Sequence, residues 1–145
     1  MYIDKTQREL LYANSREAAF MLVFEKMFSN ESAEDIIEAA KLADEYDFDD
    51  NSIALFRGVA ENTEELDCII SAFSPSRAVS RIGKVPLAVM RIAVYECNHT
   101  DTPVNIAVSE AVRIAQIYSL EGDVKLVNGL LGSFSRSDLC TKAEK

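Results

Sequence analysis

Apolar residues along this chain recur every three or four positions, and no sustained alternation at every second position appears between turn signals. That period belongs to helices. From Asn14 onward, Phe20, Val23, Phe24, Met27 and Phe28 fall at i, i+3, i+4, i+7 and i+8, and Asn14 with Glu17 reads as a capping box. This first helix is apolar over most of its girth and is expected to run through the core. Ser32 reads as the N-cap of a second helix, with Glu34 and Asp35 near its positive end, Ile36, Ala40 and Ala43 as its buried stripe and Ile37 beside them. After the acidic run "DEYDFDDNS", residues 44–52, helical spacing resumes at Phe56, Val59, Ala60, Thr63, Leu66, Ile70 and Phe73. It predicts one helix of about five turns ending at "SPS".

The prolines then mark helix starts. Ser74-Pro75 predicts a short helix through Val79 and Ile82 to Gly83, and Val85-Pro86 opens the next, with Leu87, Met90, Ala93, Val94 and Cys97 on one face. Asp101 or Thr102 caps a third, with Pro103 just inside it and Val104, Ala107, Val108, Ala111, Ala115 and Tyr118 along its length. A last helix begins near Gly122 and Asp123 and buries Val127, Leu130, Leu131 and Phe134. Gly129 continues the helical spacing and is expected to admit a close neighbour. The pattern predicts an all-α fold of about seven helices. It is read as a helical subdomain over about residues 14–73 and another over about 74–136, with flexible tails at 1–13 and 137–145.

Composition narrows the class. At 145 residues, with 48% apolar and 27% charged residues, 5 Gly and 3 Pro, the chain fits one helix-rich domain. No run approaches a membrane span, and "MYIDKTQREL" lacks the features of a signal peptide, so the protein is expected in the cytoplasm. Cys68, Cys97 and Cys140 are odd in number and widely spaced, which predicts reduced thiols. The net charge of −9 is uneven: residues 1–73 hold 17 acids and 6 bases, residues 74–145 hold 7 acids and 9 bases. Bulk electrostatics therefore do not favour nucleic acid, but a local basic face in the second half remains open.

Catalytic chemistry finds little to work with. One histidine, His99, rules out sites built from two. It lies near Cys97, Glu96 and Asp101, yet residues one or two apart on a helix diverge, whereas metal ligands must converge. Cys97 is expected to pack as a small apolar residue, with Asn98 and His99 meeting orphan carbonyls at the helix end. Arg91 and Glu96 sit in an apolar helix roughly 140° apart, too far round to bond each other. Each is expected either to reach the rim or to pair with another helix, as is Glu110. Arg77, Arg81, Lys84 and Arg91 form the densest basic patch, read as a solvated face. No phosphate loop, dinucleotide fingerprint, zincin or hydrolase motif occurs. No enzyme, metal or cofactor is expected.

The succession "VMRIAVYE", "DTPVNIAVSEAVRIA" and "KLVNGLLGSF", with "SREAAF" and "FRGVAENTEELD" before it, closely resembles the NusB family of bacterial transcription antitermination factors. The similarity spans about residues 14–135. The resemblance implies two packed helical subdomains and no catalysis. It implies pairing with NusE, a small-subunit ribosomal protein, so that the heterodimer binds boxA RNA and helps assemble an antitermination complex on RNA polymerase, notably on ribosomal RNA operons. A basic partner would supply much of the phosphate contact that this acidic chain lacks. Self-association is known among such proteins, so a homodimer is also implied as possible. Of the family's arginine-rich start this chain keeps Arg16, with Arg8 and Lys5 upstream, and Arg16 is expected in an exposed first turn. By resemblance, Arg16, Phe24, Lys125 and Asn128 are the RNA contacts, and Pro86 and Leu126 are the NusE contacts. Two alternatives stand beside this reading. One is a family member that keeps the protein interface but little RNA affinity; the other is a helper of a separate RNA-modifying enzyme.

Overall fold

The computed structural model describes residues 5–43 and 48–142, with side chains from residue 14 onward. Seven α-helices and no strand occur among them, so the fold is all-α. The helices are α1 (Lys5–Lys26), α2 (Ala33–Ala43), α3 (Asp50–Glu61), α4 (Thr63–Ala72), α5 (Lys84–His99), α6 (Val104–Tyr118) and α7 (Glu121–Ser135). Residues 44–47 of the acidic run expected before α3 lie outside the described residues.

Helix α5 is the axis of the molecule. Ten of its sixteen residues are buried, far more than the one stripe a surface helix hides, because it packs on α1, α3, α4, α6 and α7. Phe20, Phe56 and Phe134, from α1, α3 and α7, are all but fully buried around it. Each stabilises the fold by roughly 1.5–3 kcal/mol relative to exposure. Ala107, Ala111 and Ala115 recur every four residues on the buried face of α6, and their small side chains let α6 lie close to its neighbours. One apolar cluster runs through all seven helices.

Several boundaries differ from the sequence reading. Helix α1 does not begin at Asn14: residues 5–13 hold no Gly or Pro to stop it, so it starts at Lys5 and Asn14 is interior. It ends at Lys26, which leaves Phe28 outside the stripe and 66% exposed. Ser32 does cap α2, its hydroxyl accepting from the Asp35 N–H at 3.1 Å, but Ala43 at the far end is exposed. The expected five-turn helix breaks at Asn62 into α3 and α4. There Asn62 Nδ2 donates to the Gly58 carbonyl and Thr63 Oγ1 to that of Val59, so side chains satisfy α3's terminal acceptors. Gly58 is where the chain needs glycine: a Cβ would fall 2.1 Å from the Tyr95 ring. Gly129, expected to admit a close neighbour, faces open space.

Residues 74–83 form no α-helix. The Ser74 hydroxyl donates to the Arg77 carbonyl instead of capping, and only a 3₁₀ turn, Val79–Arg81, follows. Neither Asp101 nor Thr102 caps α6; Pro103 itself holds that position, and its carbonyl accepts from Ala107. Residues 137–142, expected as a tail, fold along the end of α5. Asn98 donates to the Leu139 carbonyl and accepts from the Thr141 N–H, both at 3.0 Å, and Cys140 is buried. Lys142 Nζ reaches the carbonyls of Glu96, Thr100 and Thr102, doing the work expected of Asn98 and His99.

Cys97 packs as an apolar residue, and burial followed by the neighbouring Cys140 pushes its thiol up to about 12. In native buffer, alkylation followed by mass spectrometry should modify exposed Cys68 and spare Cys97 and Cys140 until the protein unfolds. Modification of all three at one rate would refute this packing. Ala107→Asp strands a charge at a position 1% exposed and should cost roughly 3–5 kcal/mol. A melting temperature equal to that of the parent would refute the assignment.

Candidate nucleic-acid and partner interface

The polar groups that looked conspicuous in sequence are joined across helices. Arg16 is not in an exposed turn. It lies inside α1, 8% exposed, and its Nε donates to both carboxylate oxygens of Glu96 on α5, at 3.0 and 3.1 Å. Glu96 also accepts from the Thr102 hydroxyl at 2.8 Å, so the capping hydroxyl expected at α6 is spent on this pair. One residue before Arg16, Ser15 donates to Asp49, which caps α3 by accepting from Ser52 N–H. Burial pushes the Asp49 carboxyl up, but the hydrogen bonds from Ser15 and Ser52 outweigh it and hold it below its ordinary value. Arg91 leaves the expected basic face to grip Asp67 of α4 with two nitrogens, both at 2.8 Å. Glu110 pairs with Arg113 on its own helix at 2.6 Å. His99 meets Glu65 at 3.2 Å and stacks on Tyr95. These are structural pairs, and no group of three His, Cys, Asp or Glu among the described residues forms a metal-binding cluster.

The exposed chemistry lies where the end of α1 meets the start of α5. A ladder of rings runs from exposed Tyr118 across the edge of the core to exposed Phe28. Tyr118 lies 5.1 Å from buried Phe20, Phe20 5.8 Å from half-buried Phe24, and Phe24 5.0 Å from exposed Phe28. Lys84 Nζ sits 5.8 Å from the Phe28 ring centre. The first turn of α5 contains no acid, so its helix dipole adds to the positive charge of Lys84. The start of α7 adjoins it: a Cβ on Gly83 would come within 4.0 Å of Asp123 Oδ1.

Of the six residues expected at the interface, Phe24 is on this face and Lys125 is exposed on α7, 3.7 Å from Glu121. Leu126 is half-buried against the core, and Asn128 is exposed beside α6. Pro86, expected to meet NusE, is buried in the first turn of α5. Arg16 stands apart, eight residues and roughly 12 Å along α1 from Phe24. The side chains of Lys5 and Arg8 lie outside the described residues. Sequence spacing alone does not mark Phe28 and Lys84 as interface residues. The signal was the i, i+4, i+8 spacing of Phe20, Phe24 and Phe28, which reads equally well as a core stripe.

The family model described as "NusB family" matches residues 13–136. Transcription antitermination protein NusB of Acetivibrio thermocellus is 37% identical over 123 residues, covering 81% of this chain and 83% of that protein. The solved structure of T. maritima NusB superposes with a TM-score of 0.77 at 27% identity, covering 90% of this chain and 94% of that one. The same fold appears in a crystal structure of antitermination factors NusB and NusE in complex with dsRNA. There the TM-score is 0.75 at 20% identity, covering 85% of this chain and 94% of that one.

Arg16→Ala leaves Glu96 buried without its cation and should lower unfolding free energy by roughly 3 kcal/mol. The double change Arg16→Met with Glu96→Leu should cost less than Arg16→Ala alone, because no charge is stranded. Chemical denaturation measures both, and a stable Arg16→Ala protein would contradict the pairing. The lowered Asp49 carboxyl stabilises the fold above its ordinary value of 3.8, and that contribution is lost as pH falls through the folded-state value. Asp49→Asn should therefore weaken the acid dependence of stability. An unaltered acid-unfolding curve would count against it.

Proposed function

Because this chain belongs to the NusB family, we propose that it is a transcription antitermination factor that binds boxA-type RNA together with NusE and acts on RNA polymerase without catalysing a reaction. One observation carries the RNA part of this reading. The Phe24–Phe28 ring pair with Lys84 above it offers stacking area and positive charge on the surface of an otherwise acidic protein. Single-stranded RNA is held by that combination, bases stacking on rings while cations meet phosphates.

In this reading Phe24, Lys125 and Asn128 contact RNA and Leu126 borders the NusE contact. Arg16 and Pro86 act from inside. Arg16 fixes α1 on α5 so that Phe24 is held in place, and Pro86 shapes the first turn of α5 beneath Lys84. Partnership with NusE is favoured by the solved complex of a similarly folded NusB with NusE and dsRNA. A protein-interaction role with little RNA affinity is the second reading, favoured by the burial of Arg16 and the net charge of −9.

Fluorescence anisotropy of a boxA-like RNA, titrated with this protein in the presence and absence of NusE, separates the two. The first reading expects sequence-selective binding that NusE strengthens and salt weakens. If NusE binds but brings no gain in RNA affinity, the second reading stands. Phe24→Leu keeps apolar bulk but removes a stacking ring, and should weaken RNA binding on the order of tenfold. Equal affinity for the variant and the parent would remove Phe24 from the interface.

A further inference from the structure

The outer side of the α6–α7 hairpin carries a groove of about 850 Å³ whose lining includes none of Phe24, Phe28 and Lys84. Its floor is apolar: Val104, Val108 and Val112 recur every four residues along α6, each half-buried. Arg113, Arg136 and Lys142 line it, and no acidic residue does, in a chain with 24 acids against 15 bases. Glu110 and Glu17 offset Arg113. Arg136 forms no ion pair with any described carboxylate, whereas Lys142 Nζ is engaged by the carbonyls of Glu96, Thr100 and Thr102. Asn105, Gln116 and Asn128, all exposed, add amide groups that both donate and accept.

We infer that this groove docks an acidic peptide segment in extended form, with small apolar side chains alternating with carboxylates. Each part of the lining has a counterpart in such a ligand. The valines receive the apolar side chains, Arg136 receives a carboxylate, and the amides meet main-chain N–H and C=O groups. Successive side chains of an extended chain point to opposite sides, which suits a floor and wall of unlike character. From Val104 to Gln116 the groove runs roughly 18 Å along α6, the length of about six extended residues. Single-stranded RNA fits less well, because no aromatic ring lines the groove and its bases would have nothing to stack on. The inference does not rest on the RNA-binding reading, with which it shares only Asn128 among the proposed contacts.

The test is fluorescence polarisation with the full chain, without NusE, using three labelled probes. These are a peptide of about ten residues alternating Glu with Val, its counterpart with Lys in place of Glu, and a single-stranded RNA of similar length. The acidic peptide should bind saturably and lose affinity as salt rises, and the lysine peptide should not bind. Arg136→Glu should weaken it about tenfold. Ser109→Trp, which fills the groove from an exposed position, should weaken it without a charge change. Both variants should keep the parent's melting temperature, and Arg136→Glu its response to boxA RNA with NusE, so failure here leaves the antitermination reading intact. The proposal is overturned if the acidic peptide does not saturate, if both peptides bind alike, if RNA is the probe displaced by Ser109→Trp, or if a folded variant binds the peptide as the parent does.

Discussion

The buried ion pair between Arg16 and Glu96 is the constraint on which the rest of the molecule depends. Two charges withdrawn from water are tolerated only when each satisfies the other in good geometry, so the pair admits one placement of α1 against α5. Around it Thr102 ties the start of α6 to Glu96, and Ser15 and Asp49 tie the start of α3 to α1. Four helices are thus registered at one point by polar contacts. The apolar packing around them has no such directionality.

That registration has a functional consequence at the other end of α1. Phe24 and Phe28 are positioned by the same helix and its exit, and Lys84 by the start of the same α5 that carries Glu96. A displacement of α1 along α5 would separate the rings from the cation. Fold stability and the presentation of the Phe24, Phe28 and Lys84 surface are then coupled through a residue that is itself buried. What the structure shows of Arg16 is that its Nε bonds Glu96 and thereby fixes α1 on α5.

Charge is distributed to match. The acids dominate the first half of the sequence, while the second half places Lys84 beside the ring ladder and Arg136 and Lys142 along the α6–α7 groove. In a chain of net charge −9 the positive regions are small and separate. Each has a different companion surface: aromatic in the first case, aliphatic and amide-bearing in the second. That difference is the physical basis for assigning them different classes of ligand.

What the sequence by itself determined was the class of the fold and most of its buried faces. A helix turns once in about 3.6 residues, so Val59, Leu66, Met90, Ala107 and Leu131 announce their burial by spacing alone. The family likewise shows in the order of motifs along the chain. What only the tertiary structure decided was the partner of each charge that pairs across helices and the fate of the residues at helix ends. Arg16 and Glu96 are eighty positions apart, and no local pattern links them. Phe28 shares the spacing of Phe20 yet stays exposed because α1 stops at Lys26, and the predicted long helix divides at Asn62 where side chains replace main-chain partners. Periodicity records which face is apolar; which surface that face meets depends on contacts between segments distant in sequence.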